Sequence, residues 1–278
     1  MQKRLLTIQD YSCLGRCSLT VAQPTISACG IECVAIPTAI LSNHTQYESW
    51  TFRDLSEDLL SIVEKWNKYN HHFDAIYTGY LTTKQVDIVK EIINKLKEKN
   101  TLVYIDPAMA DNGKLYPGFT LEHVSKMKEL CALGDYIKPN VTEACLMNNV
   151  DYPTEVKPLS FYKDLVMKLH DNGAKNVILT GIKINPNKIG VMTYISENKR
   201  VSYREFDYID AYLHGTGDLY SSALISLITL GYELNEAIDK AHEFVVRAIK
   251  HTIEDKVDGL LYGPEFEKAL PYLVGLIK

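Results

Sequence analysis

Long apolar runs are missing from the 278-residue sequence: none approaches the roughly 20 residues that a membrane-spanning helix requires. The start, Met1-Gln2-Lys3-Arg4-Leu5-Leu6-Thr7-Ile8, is basic but its apolar run is far too short for a secretion signal. An excess of positive charge is also missing. Lys and Arg total 30 against 35 Asp and Glu, a formal net charge of −5, which argues against nucleic acid or an anionic membrane as partner. Cysteine is sparse. Cys13, Cys17, Cys29, Cys33, Cys131 and Cys145 lie in apolar or turn contexts without C-x-x-C spacing or a following Cys/His pair, so a thiolate zinc site is not expected and reduced core thiols are. The P-loop pattern G-x-x-x-x-G-K-[ST], the dinucleotide pattern G-x-G-x-x-G and the hydrolase elbow G-x-S-x-G are all absent. With no Pro/Gly/Ser-rich tract and no internal repeat, the sequence reads as one soluble cytoplasmic domain over residues 1–278.

What is present is an alternation. Strand-like runs at 4–9, 31–36, 74–80, 101–105, 136–137 and 176–180 alternate with helical periodicity at 18–28, 54–69, 83–99, 120–131, from 142, and at 161–171. Pro24 sits awkwardly inside the first of these helices. The rhythm then changes: 190–195 and 201–206 flank Glu197-Asn198-Lys199 as an antiparallel hairpin, before helices from Thr216 and over 235–253. The pattern predicts an α/β fold with a mainly parallel sheet flanked by helices and a late antiparallel hairpin. Ligands of such folds bind outside the carboxyl ends of the strands, which singles out Asp10, Tyr80, Asp106, Asn140, Thr180 and Asp218.

The richest stretch is His214-Gly215-Thr216-Gly217-Asp218, followed by an apolar-periodic run. Glycines allow close backbone approach to a ligand, and the N–H groups and dipole of a helix start favour phosphate. A carboxylate beside such a cradle can take a proton from an acceptor hydroxyl. A plain helix start with a dipole-favoured aspartate is the alternative. Asp106-Pro107-Ala108-Met109-Ala110-Asp111 places two carboxylates beyond a buried strand, and Asn140-Val141-Thr142-Glu143 places an amide and a carboxylate three apart. Such oxygens suit Mg²⁺ together with substrate phosphates, with Asp106 and Glu143 as candidate ligands. A helix cap explains Asn140 and Glu143 equally well.

The G-T-G-D run at 215–218, N-x-x-E at 140–143 and D-P-x-M at 106–109 together resemble the ribokinase superfamily. Within it, Ser42-Asn43-His44-Thr45-Gln46-Tyr47 and Gly79-Tyr80 resemble the pyridoxal kinase branch, over nearly the whole chain from Thr7 to about Ile253. The resemblance implies a three-layer ribokinase-like fold and ATP-dependent phosphorylation of the 5′-hydroxymethyl group of a B6 vitamer, assisted by Mg²⁺. It implies Asp218 as base and Gly215, Thr216 and Gly217 as an anion hole. Asn140 and Glu143 would order Mg²⁺ and its waters, and Asp106 and Asp111 would lie near the nucleotide phosphates and the cation. Thr180 and Gly181 would lie beside the nucleotide, and Thr45 and Tyr80 would contact the pyridine ring. A stabilising monovalent cation such as K⁺ and a homodimer are further family features.

Two departures stand out. Asp10 occupies a position where these kinases typically carry serine, which suggests pairing with a pyridine nitrogen or an amine substituent and use of pyridoxamine or pyridoxine beside pyridoxal. Lys138 precedes Pro139-Asn140 where family members often have a small or apolar residue; it could reach a phosphate, but as a lone lysine it is expected to be solvated. His44 and His214 receive no role. The competing readings are a hydroxymethylpyrimidine kinase of thiamine synthesis, a sugar or nucleoside kinase, and a non-catalytic binder of pyridoxal phosphate. An intact Asp218 speaks against the last.

Overall fold

Residues 2–66, 68, 69, 71–211 and 213–277 are described by a computed structural model. The chain opens with β1 (Arg4–Ser12), buried along nearly its whole length as a strand covered on both faces must be. After α1 (Leu19–Ala28) come β2 (Glu32–Leu41), β3 (Phe52–Asp54), α2 (Ser56–Trp66), β4 (Ala75–Thr78) and α3 (Thr83–Leu96). Of the helix expected over 54–69, Asn67 lies outside the described residues. Next are β5 (Leu102–Ile105), a small hairpin of β6 (Ala110–Asp111) and β7 (Lys114–Leu115), α4 (Leu121–Cys131), β8 (Tyr136–Ile137), α5 (Val141–Met147) and α6 (Leu159–Asp171). Then follow β9 (Asn176–Asn185), β10 (Lys188–Ile195), β11 (Arg200–Asp207), α7 (Thr216–Thr229) and α8 (Leu234–Glu254). Last come α9 (Gly259–Tyr262), a 3₁₀ turn at Phe266–Ala269 and α10 (Leu270–Leu276). Pro24 lies within α1, which therefore lacks the hydrogen bond an N–H there would make.

The chain divides into two compact units, one of Met1–Gly79, Asn94–Thr101 and Asp210–Lys278, the other of Tyr80–Ile93 and Leu102–Ile209. In the first, strand order is β4-β1-β2-β3, with β1 parallel to β2 and β4, and β3 antiparallel to β2. The helix α1 packs on β1, β2 and α7, and α8 packs on α7. In the second, the order is β5-β8-β9-β10-β11; β5, β8 and β9 run parallel, and β10 is antiparallel to both β9 and β11. The helix α6 covers β9 and β10, and α5 packs on α6 and β9. The expected α/β architecture holds: a mainly parallel sheet flanked by helices, with the antiparallel strands late in the chain.

Among the described residues no helix is long and apolar enough to cross a membrane. The helix α7 is buried on almost every side from Leu219 onward. Its hydroxyls are accommodated because Ser222, Ser226 and Thr229 donate to the carbonyls of Asp218, Ser222 and Ile225, at 2.6, 2.7 and 2.7 Å. The expected strand ends are corrected at two places. Because β1 runs on to Ser12, Asp10 lies inside it, where the pairing with β2 slips between Gln9 and Tyr11. Because β9 runs on to Asn185, Thr180 and Gly181 lie within that strand instead of closing it.

Candidate active site

In the first unit the site is built around the start of α7. Gly215 caps the helix at φ 85°, ψ 1°, in the left-handed region, and a Cβ there would lie 2.0 Å from the Arg16 carbonyl oxygen. Only glycine satisfies both conditions. At Gly217, exposed in the first turn of α7, a Cβ would meet nothing within 4 Å, so no side chain crowds that turn on this side. Asp218 is half-buried, and its Oδ2 accepts a hydrogen bond from the Ser18 backbone N–H at 2.8 Å. Ser18 makes that bond from φ 47°, ψ −128°, a costly conformation for a residue with a side chain.

Asp10 belongs to the same unit and is buried, with the Ser12 hydroxyl donating to its Oδ2 at 3.3 Å. Burial raises its carboxyl above the ordinary range, and hydrogen bonds from Ser18 and Ser12 oppose that shift. Burial, with the charges of Asp10 and Asp218, pushes the Cys17 thiol far up, so it stays protonated and unreactive.

In the 42–47 loop, His44 accepts the Gln46 N–H at Nδ1 (3.3 Å) and lies 2.8 Å from the Leu261 carbonyl at Nε2. A carbonyl only accepts, so the ring is the neutral Nε2–H form. Its centroid lies 4.2 Å from that of His214, the residue before the glycines, and burial lowers both, His214 to about 4. Thr45 follows His44 in the loop and is exposed.

The second unit holds the acidic residues. Asp106 directly follows β5, and its Oδ2 lies 3.0 Å from Lys138 Nζ, the two side chains 6% and 7% exposed. The expectation of a solvated lysine is therefore wrong. Lys138 N donates to the Ile105 carbonyl at 3.0 Å, prolonging the β5–β8 register, and this carries its side chain to Asp106. Asn140 and Glu143 form a complete capping box: Glu143 N donates to Asn140 Oδ1 (2.9 Å) and Asn140 N to Glu143 Oε2 (2.8 Å). The other carboxylate oxygen of Glu143 accepts from Met109 N at 3.1 Å, and Asn140 Nδ2 donates to the Ala110 carbonyl at 2.7 Å. Burial, then the neighbouring Asp106 charge, lifts Glu143 to about 8, against the opposing charge of Lys138.

Asp111 is exposed at the surface, yet partial desolvation of its carboxyl raises it too, offset in part by the Asn112 N–H and the charges of Lys183 and Lys138. Thr142 Oγ1 accepts from Gly113 N (3.0 Å), which holds the β6–β7 turn against α5. Thr180 N donates to the Pro139 carbonyl at 3.0 Å, and Gly181 beside it has φ 78°. Tyr80 stacks on Phe119 at 5.4 Å, and Phe119 on His123 at 3.8 Å.

The sequence-derived residues thus assemble as two sets. Asp10, Thr45, Gly215, Thr216, Gly217 and Asp218 belong to the first unit; Tyr80, Asp106, Asp111, Asn140, Glu143, Thr180 and Gly181 belong to the second. Direct cation ligation by Asp106 and Glu143 does not fit the arrangement. Both oxygens of Glu143 already accept backbone N–H groups, and Asp106 is paired with an ammonium. Among the described residues no three His, Cys, Asp or Glu side chains are placed to hold a metal. Sequence reasoning missed Ser18, the burial of Lys138, the tilted His44–His214 ring contact and the Phe119–His123 stack. The last had a signal in its i, i+4 spacing; the others join residues far apart in sequence.

The fold is that of α/β small-molecule kinases. The phosphomethylpyrimidine kinase family profile matches residues 24–259. The pyridoxal kinase of Dictyostelium discoideum is 31% identical over 254 residues, 86% of this chain and 81% of that protein. The pyridoxine kinase of Bacillus subtilis (strain 168) is 36% identical over 186 residues, 64% of this chain and 65% of that protein. Among solved structures, a phosphomethylpyrimidine kinase candidate from Bacteroides thetaiotaomicron, in a crystal form with pyridoxal, has TM-score 0.93 at 34% identity, covering 98% of this chain and 96% of its own. The pyridoxal kinase of Lactobacillus plantarum has TM-score 0.90 at 26% identity, covering 99% and 98%. The chain belongs to the phosphomethylpyrimidine kinase family.

Proposed function

We propose that the protein is an ATP-dependent kinase, one domain over residues 1–278, that phosphorylates the 5′-hydroxymethyl group of a B6 vitamer. The observation that carries this reading is the Asp218 carboxylate, fixed by Ser18 N–H in the first turn of α7, next to a glycine with free space at its Cβ position. Asp218 takes the proton of the acceptor hydroxyl as its oxygen forms a bond to the γ-phosphorus and the bond to the β-phosphate oxygen breaks, releasing ADP. The N–H groups of Gly215, Thr216 and Gly217, aided by the dipole of α7, stabilise the charge of the transferring phosphoryl group.

Asp10, Thr45 and Tyr80 contact the vitamer. Asp106, Asp111, Asn140, Glu143, Thr180 and Gly181 serve the nucleotide end, with Mg²⁺ arriving as the MgATP complex. K⁺ activation, a homodimer and a cytoplasmic location complete the proposal by resemblance. The vitamer reading is preferred to hydroxymethylpyrimidine because the relatives named above are pyridoxal and pyridoxine kinases. The loop Ser42-Asn43-His44-Thr45-Gln46-Tyr47 and the aspartate at 218 point the same way.

The test is competition. Enzyme, MgATP and an equimolar mixture of pyridoxal, pyridoxamine, pyridoxine and hydroxymethylpyrimidine are incubated, and the phosphorylated products resolved by mass spectrometry. Vitamer 5′-phosphates as the main products support the reading; hydroxymethylpyrimidine phosphate alone overturns it.

A further inference from the structure

The Asp106–Lys138–Glu143 cluster carries an inference that goes beyond the kinase reading. Burying two carboxyl groups near each other is unfavourable unless a cation accompanies them or one of them keeps its proton. Here the cation is part of the chain: Lys138 Nζ lies 3.0 Å from Asp106 Oδ2, and its charge acts on Glu143 as well. Lys138 is no wandering surface group. Its side chain is 7% exposed, its N–H is bonded to the Ile105 carbonyl, and Pro139 restrains the residue from the other side. Glu143 is fixed in turn by N–H groups from Met109 and Asn140, one to each oxygen. Farther out, Asp111 feels the charges of both Lys138 and Lys183. A divalent ion bound directly to Asp106 and Glu143 would have to sit beside the Lys138 ammonium, which repels it.

We propose that Lys138 is a tethered cation that takes the electrostatic place of a resident divalent ion in the Asp106–Glu143 cluster, so that the nucleotide-free protein binds no divalent ion there. A divalent ion then enters with the nucleotide phosphates as its principal ligands.

The test needs no turnover, so its outcome is independent of the kinase assignment. Nucleotide-free wild type, Lys138→Met, Lys138→Arg and the double variant Lys138→Met/Glu143→Gln are titrated with Mn²⁺, and free Mn²⁺ is read by electron paramagnetic resonance. The expected result is weak binding by wild type and Lys138→Arg. Lys138→Met should bind at least about tenfold more tightly, because one buried repelling charge is gone, and the double variant should lose that gain. If Lys138→Met folds poorly, its thermal midpoint should recover in millimolar Mn²⁺ while that of wild type stays unchanged. Equal Mn²⁺ affinity in wild type and Lys138→Met, tight Mn²⁺ binding by nucleotide-free wild type, or failure of Mn²⁺ to restore a destabilised Lys138→Met would each overturn the proposal.

Discussion

Ser18 N–H donates to Asp218 Oδ2 at 2.8 Å across 200 positions of sequence, and Ser18 holds φ 47° to do so. Strain of about 1–3 kcal/mol at such a residue persists only where the surroundings impose it. Here the N–H at the head of α1 aims a carboxylate at the head of α7. Glycine keeps the N–H and removes the strain. Ser18→Gly should therefore keep kcat within about threefold and move the thermal midpoint little, because relief of the strain offsets the hydroxyl's lost hydrogen bond to Asp10. A hundredfold loss of kcat in a folded variant would move the role from the N–H to the hydroxyl.

The two glycines of the loop should respond differently to alanine. Gly215→Ala places a Cβ against the Arg16 carbonyl and forces an L-residue to φ 85°, so a loss of several kcal/mol in stability is expected by denaturant titration. Gly217→Ala meets no protein atom and lies in a helical turn, so stability should hold or rise by about 0.5–1 kcal/mol. If the space at Gly217 receives phosphate, that same variant loses kcat/KM for ATP. Unchanged kinetics in Gly217→Ala would place the phosphate elsewhere.

Stability should depend on pH through two groups of opposite sign. Glu143 is raised in the folded protein to about 8, so the folded state holds its proton more tightly than the unfolded chain. Stability is complete below about pH 4.5 and is lost as pH climbs toward 8. His214 is lowered to about 4, so its contribution is complete above about pH 6.5 and is lost as pH falls toward 4. Thermal midpoints of wild type, Glu143→Gln and His214→Gln between pH 4 and 9 separate them. Glu143→Gln should flatten the alkaline slope and His214→Gln the acid one. Identical slopes in all three proteins would contradict the assignment.

Asp10 bears on which vitamer is preferred. It is buried in β1 with its carboxyl raised, so it can share a proton with a ring nitrogen or an amine. Asp10→Ser should lower kcat/KM for pyridoxamine relative to pyridoxal by about tenfold, the size of one lost charge-assisted hydrogen bond. An unchanged ratio would remove Asp10 from vitamer selection.

Much of this was legible in the sequence because it is local. Helical periodicity located α3, α6 and α8, apolar runs located β4 and β5, and the glycine–threonine–glycine run marked the start of α7. The capping box of Asn140 and Glu143 is likewise a short-range pattern. What was not legible depends on register. Lys138 reads as a surface lysine until β8 lies beside β5 and delivers it to Asp106. Asp10 reads as a strand end until the slipped pairing with β2 prolongs β1. The segment at 258–263 shows no periodicity, yet its Leu261 and Tyr262 carbonyls pair with His44 and Arg16.

The central claim is that Asp218 serves as the base of a B6-vitamer kinase, and ADP release from MgATP measured in wild type and Asp218→Asn tests it most directly. Pyridoxal, pyridoxamine, pyridoxine and hydroxymethylpyrimidine are supplied one at a time. The account predicts turnover with at least one B6 vitamer in wild type and a loss of about 10²–10⁴ in kcat in the variant, with the thermal midpoint preserved. Turnover of similar rate in Asp218→Asn, or no vitamer-dependent ADP release from the wild-type protein, would contradict it.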